Sequence, residues 1–96
     1  MIFKVKIKMK KIEKIFKALA NANRLKIVKY LLGRRDGASV GMIKDAAGCS
    51  YKAASKHLVI LFANDIVDRD QAGQQAHYRI ADNPRPEISA LLKLLR

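Results

Sequence analysis

Several things are scarce in this chain of 96 residues, and each scarcity excludes something. Tryptophan is absent and Tyr and Phe number three each, so there is little material for the aromatic platforms on which single-stranded RNA bases stack. Cysteine occurs once, as Cys49. A lone thiol excludes an internal disulfide and any multi-cysteine zinc cluster, and it suits a reducing cytoplasm, the expected location. Asp and Glu number 8 against 20 Lys and Arg. No pair of carboxylates stands in an apolar setting, no Gly-rich phosphate loop is present, and the two histidines, His57 and His77, have no partner of catalytic type nearby in sequence; enzyme chemistry is not expected. No apolar run reaches the roughly 18 residues of a membrane span. The basic start is not followed by the apolar core of a signal peptide.

What is present is positive charge and apolar surface. The formal net charge is +12, and half of the residues are hydrophobic. The charge is concentrated: Lys4, Lys6, Lys8, Lys10, Lys11, Lys14 and Lys17 face only Glu13 in the first twenty residues, and Arg24, Lys26, Lys29, Arg34 and Arg35 follow against Asp36. Such a pole selects an anionic partner, such as nucleic acid or an acidic protein. A single domain of this size buries only roughly 60–65% of the surface of its unfolded chain, so the surplus of apolar residues points to self-association.

Periodicity divides the chain. Phe3, Val5, Ile7 and Met9 alternate with Lys4, Lys6 and Lys8, the pattern of a short strand; the alternatives are a basic arm over 1–9 or a fringe of the next helix. From Lys10 the period becomes helical, with Ile12, Ile15, Phe16 and Leu19 on one face. Asn21 is placed to cap a second helix that carries Leu25, Ile27, Val28, Leu31 and Leu32, with Gly33 as a left-handed stop. Ser39 and Gly48 bracket a short third helix over 40–47. Ser50 caps a fourth over 51–63, with Ala54, Leu58 and Leu61 turned inward. Ile66 to Asp70 and Gln75 to Ile80 read as two strands around a turn at 71–74 that contains Gly73. Asn83, Pro84 and Pro86 open a last helix with Ile88, Leu91, Leu92 and Leu95 in one stripe.

Two short helices joined by a Gly-containing turn, followed by a hairpin, form a winged helix-turn-helix. The fold class is therefore mainly α with a small β-hairpin, a winged-helix domain over 10–96 that is dimeric through its first and last helices. The expected interface is Ile12, Ile15, Phe16, Leu19, Ile88, Leu91, Leu92 and Leu95. On the fourth helix, Ser50, Tyr51, Lys52, Ser55, Lys56 and His57 lie toward the outside or the rim, and these residue types donate to phosphates or read base edges. On the hairpin, Arg69, Gln74, Gln75 and Arg79 can reach the DNA backbone or the minor groove, although Arg69 and Arg79 can instead pair with Asp68 and Asp70.

With these elements in place, the chain resembles the ArsR-type family over about residues 12–95. Ala18-Leu19-Ala20-Asn21-Ala22-Asn23-Arg24-Leu25-Lys26-Ile27-Val28 is similar to its segment A-L-A-D-P-T-R-L-x-I-L. Ser50 through Leu61 resembles its recognition helix S-Q-S-x-V-S-x-H-L-x-x-L, and His77-Tyr78-Arg79-Ile80 its V-Y-Y-x-L. The resemblance implies a homodimeric repressor whose recognition helices enter successive major grooves of double-stranded DNA about 34 Å apart. It also implies that Ser50, Tyr51, Lys52, Ser55 and His57 face DNA and that Lys56 meets phosphate. The family's metal sites have no counterpart. Ala38-Ser39-Val40-Gly41-Met42-Ile43 stands where metal sensors carry E-L-C-V-C-D-L, and residues 86–96 contain neither His nor Asp. No metal or cofactor is expected, and the effector is left open: a small molecule, a protein partner, redox chemistry at Cys49, or none. The competing reading is a winged-helix protein–protein interaction module with weak, non-specific DNA affinity.

Overall fold

The computed structural model describes residues 2–96. In chain order these form α1 (Ile2–Leu19), α2 (Ala22–Leu32), β1 (Ala38–Ser39), α3 (Val40–Ala47), α4 (Tyr51–Ala63), β2 (Val67–Ala72), β3 (Gln75–Ile80) and α5 (Pro86–Leu95). The strands make one antiparallel sheet in the order β1-β3-β2.

The caps act as their residue types dictate. Asn21 Oδ1 accepts from the backbone N–H groups of Asn23 and Arg24 at 3.0 and 3.1 Å. Ser39 Oγ accepts from Met42 N–H and Ser50 Oγ from Ala53 N–H. Each satisfies a donor that the first helical turn cannot. Gly48 closes α3 in the left-handed region, at φ 68°.

The inward stripes of all five helices meet the sheet in one core. Ile15 and Ala18 of α1, Ile27, Val28 and Leu31 of α2, Ile43 of α3, Leu58 and Leu61 of α4, and Ile88 and Leu92 of α5 surround Ile66, Val67 and Tyr78. No polar or charged side chain of the described residues is buried in it.

Four expectations are corrected. First, residues 2–9 are neither strand nor arm but, as the third alternative had it, part of the next helix: they are the first half of the 18-residue α1. Ile2, Val5, Met9, Ile12 and Phe16 recur at steps of three and four, so the same residues satisfy a helical period. The helix also satisfies its own backbone groups, whereas an isolated strand leaves them unpaired. Met1 lies outside the described residues. Second, Gly33 does not adopt a left-handed conformation (φ −90°). Instead α2 tightens at its end, where Gly33 N–H reaches Tyr30 O and Arg34 N–H reaches Leu31 O. Third, the hairpin turn shrinks to Gly73 and Gln74, because Ala72 pairs with Gln75. Fourth, β1 is an additional strand. Ala38 pairs with Tyr78 and Ser39 with His77, which fastens the start of α3 to the hairpin.

Gly37 makes that fastening sterically feasible. Its φ is +77°, and a Cβ there would lie 2.5 Å from the Tyr78 carbonyl oxygen. Only glycine permits both.

Candidate nucleic-acid interface

The site is built by α3, α4 and the β2–β3 hairpin. Gly48, Cys49 and Ser50 connect α3 to α4, and Cys49 packs half-buried against the core. Ala54, Leu58 and Leu61 are fully buried and fix which side of α4 faces the core. The opposite side then presents Lys52 and Lys56 to solvent, Tyr51 is exposed at the first position of the helix, and Ser55 and His57 are half-buried at the rim. Ser50 is exposed. Its oxygen is committed to the cap, but its hydroxyl hydrogen remains available to an acceptor.

The hairpin stands beside the start of α4. Tyr51 lines one groove together with Ser39, Val40 and Gly41 of the β1–α3 junction and with Gln74, Gln75 and Ala76 of the hairpin. Three of the expected contact residues, Tyr51, Gln74 and Gln75, therefore share one groove, while Lys52 and Lys56 are exposed and Ser55 half-buried on the same helix as Tyr51. Arg69 is exposed on β2 and, among the described residues, makes a single long contact, to Gln71 Oε1, 3.4 Å away.

Two expected contacts are placed differently. Arg79 reaches Asp70 at 2.7 Å, Asp82 at 2.8 Å and Asp68 at 3.5 Å. The Asp70 hydrogen bond foremost, and then Asp82, hold its guanidinium firmly charged, and its donors are turned to carboxylates. His57 is not a free outward side chain. Its Nδ1 lies 3.2 Å from Nη1 of Arg24, and the same guanidinium reaches back through Nε to Ala18 O and through Nη2 to Lys17 O. Burial, and then the charge of Arg24, push the His57 pKa below its ordinary value. Arg24 escaped sequence reasoning because its partners are 6, 7 and 33 positions away. Nothing local announces such a contact.

No family model and no curated protein matches the chain. Solved structures do. HlyU from Vibrio cholerae N16961 is 30% identical, with a TM-score of 0.76 over 92% of this chain and 90% of that one. The chain belongs to the ArsR-type winged-helix transcriptional regulators. A second neighbour is the homodimeric winged helix-turn-helix DNA-binding domain (fragment 1–100) of Mb0332 from Mycobacterium bovis, a candidate ArsR-family transcriptional regulator. It is 28% identical with a TM-score of 0.79, covering 94% of this chain and 79% of that chain. HlyU from Vibrio vulnificus CMCP6, a transcriptional regulator, is 29% identical with a TM-score of 0.72, over 99% of this chain and 95% of that chain.

In this ArsR-type regulator the expected dimer residues separate into two groups. Ile15, Leu19, Ile88 and Leu92 are buried within the protomer and leave little surface for a second copy. Ile12, Leu91 and Leu95 are half-buried, while Phe16 is 52% exposed. Each terminal helix thus carries two adjacent apolar stripes, one for its own core and one facing outward, which a one-dimensional pattern merges. The outward stripe also includes Ile2, Val5 and Met9 of α1, which sequence reasoning left out of the interface, and Leu94 of α5, expected there only to broaden the apolar stripe and 79% exposed. Val59 and Phe62 add apolar exposure on the second half of α4. Among the described residues no group of three or more His, Cys, Asp or Glu side chains is close enough to hold a metal ion. No described helix is long and apolar enough to cross a membrane.

Proposed function

We propose that this regulator is a homodimeric, sequence-specific repressor that docks α4 in the major groove of duplex DNA, with the β2–β3 hairpin against the backbone or in the minor groove. The observation that carries this reading is the polar, cationic outer surface of the first half of α4 (Tyr51, Lys52, Ser55, Lys56), with Tyr51 beside Gln74 and Gln75. Side chains at the start of a recognition helix reach base edges, and lysines one turn apart meet successive phosphates. Exposed Lys6, Lys8, Lys10, Lys11 and Lys14 on α1 add a sequence-independent attraction. The Mycobacterium bovis domain, homodimeric and DNA-binding, supports both parts.

Dimerisation uses the outward stripes. Ile2, Val5, Met9, Ile12 and Phe16 on α1 follow the three-four spacing of a helix-pairing seam. Leu94 of α5, 79% exposed, with the partly exposed Leu91 and Leu95, adds apolar surface on the last helix. The protein acts in the cytoplasm, where the thiol of Cys49 stays reduced.

The test is a titration of the pure protein against the duplex upstream of its own gene and against random duplex, at two salt concentrations. Expected is a preference of about 10³-fold or more for the cognate duplex, with two protomers per site. Weak, equal binding to both that salt abolishes would instead indicate a protein-docking module.

A further inference from the structure

The Arg24 side chain links three helices. It starts from α2, donates to the last carbonyls of α1 at Lys17 and Ala18, and ends at the imidazole of His57 on α4. A guanidinium has donors only, so the 3.2 Å contact from Nη1 requires Nδ1 of His57 to accept. An imidazole that accepts at Nδ1 and is neutral carries its proton on Nε2. His57 is half-buried, yet no buried side-chain nitrogen or oxygen among the described residues lacks a partner. Arg24 is its single partner among those residues, so Nε2 reaches solvent, on the helix that presents Tyr51, Lys52 and Lys56.

We propose that Arg24 is a positioning residue of the DNA interface: it locks His57 as the neutral Nε2–H tautomer and presents that N–H as a donor to a phosphate or base-edge acceptor. This rests on the DNA-binding reading above. The groups that set the charge around His57 are few. Arg24 faces it from α2, α1 contributes backbone carbonyls to Arg24, Lys17 of α1 is paired with Glu13 at 2.9 Å, and Lys52 and Lys56 lie within two turns on α4 itself. Burial first, and then the charge of Arg24, favours the neutral ring. A second proton could enter only at Nδ1. It would remove the acceptor that Arg24 uses and set two cations against each other, releasing α4 from the end of α1. Because α1 also carries the outward dimer stripe, the same guanidinium ties the seating of the recognition helix to that of the dimer helix.

Nitrogen-15 NMR of the imidazoles in the free protein tests the tautomer without DNA. The expected spectrum has the His57 proton on Nε2; a dominant Nδ1–H form overturns the proposal. In Arg24→Gln, residue 24 can accept as well as donate, so His57 should populate both tautomers and its titration should move up toward the ordinary value. A fold-stabilising role alone would leave the tautomer unchanged in the folded variant. Duplex affinity should fall about five- to tenfold, the worth of one hydrogen bond. In a His57→Ala background, confirmed as folded by its melting curve, Arg24→Gln should cost no further affinity. An undiminished loss there would show that Arg24 acts on DNA by itself and would overturn the proposal. A wild-type chain that bound no duplex would overturn the DNA-binding reading and the donor role with it. The imidazole spectrum separates that result from a failure of the Arg24–His57 link.

Discussion

Gly37 and His57 show how single residues answer to contacts far along the chain. Replacing Gly37 with Ala puts a methyl group against the Tyr78 carbonyl and forces an L residue to positive φ. The β1–β3 pairing that anchors α3 must then shift, at a cost of about 2–3 kcal/mol. Gly37→Ala should lower the melting temperature clearly, while Gly48→Ala, also at positive φ but in open space, should cost less; equal losses would mean that the close approach is unimportant. His57 makes stability depend on pH. Its folded pKa lies below the ordinary 6.5, through burial first and the charge of Arg24 second. Below pH 6.5 the unfolded chain therefore binds more protons than the folded one. Stability is full above that value and is lost as pH falls through the folded pKa. Melting curves across this range should show the loss, and His57→Gln should flatten it.

At the scale of elements, α1 and the hairpin each divide their labour. On α1, Ile15 faces the protomer core and Phe16, one position on, faces out. Ile15→Glu should unfold the protein. Phe16→Glu should leave it folded and raise the dimer dissociation constant at least about tenfold, because an apolar side chain is worth roughly 1.5–3 kcal/mol when buried. Sedimentation at several concentrations distinguishes the two; a Phe16→Glu protein that still sedimented as wild type would place the dimer contact elsewhere. On the hairpin, Arg69 is open and Arg79 is held by three aspartates. Arg69→Ala should weaken DNA binding, whereas Arg79→Ala should chiefly perturb the hairpin, read as a faster hydrogen exchange of its amides.

For the whole molecule, charge and association are the quantities to measure. Lys56→Ala should weaken binding to every duplex alike and reduce the salt slope by about one per protomer. A loss confined to one base position would reassign Lys56 to base reading. If dimer formation contributes to stability, the melting temperature should rise with protein concentration; a constant value would indicate that the protomer is stable alone and the outward stripes serve another partner.

The sequence by itself determined α2 to α5 and the hairpin, because caps such as Asn21, Ser39 and Ser50 and the spacing of Ala54, Leu58 and Leu61 act within a few residues. It also located the cationic surface of α4, since knowing the inward stripe of a helix identifies the outward one. Residues 2–9 were ambiguous, as alternating Lys and apolar residues satisfy a strand and a helix alike, and only continuity with the rest of α1 decides between them. The tertiary structure alone decided that Ile15, Leu19, Ile88 and Leu92 are core while Phe16 and Leu94 face out, that Arg79 belongs to Asp68, Asp70 and Asp82, and that Arg24 holds His57. Each of these depends on which surfaces of distant segments meet, and no local periodicity carries that information.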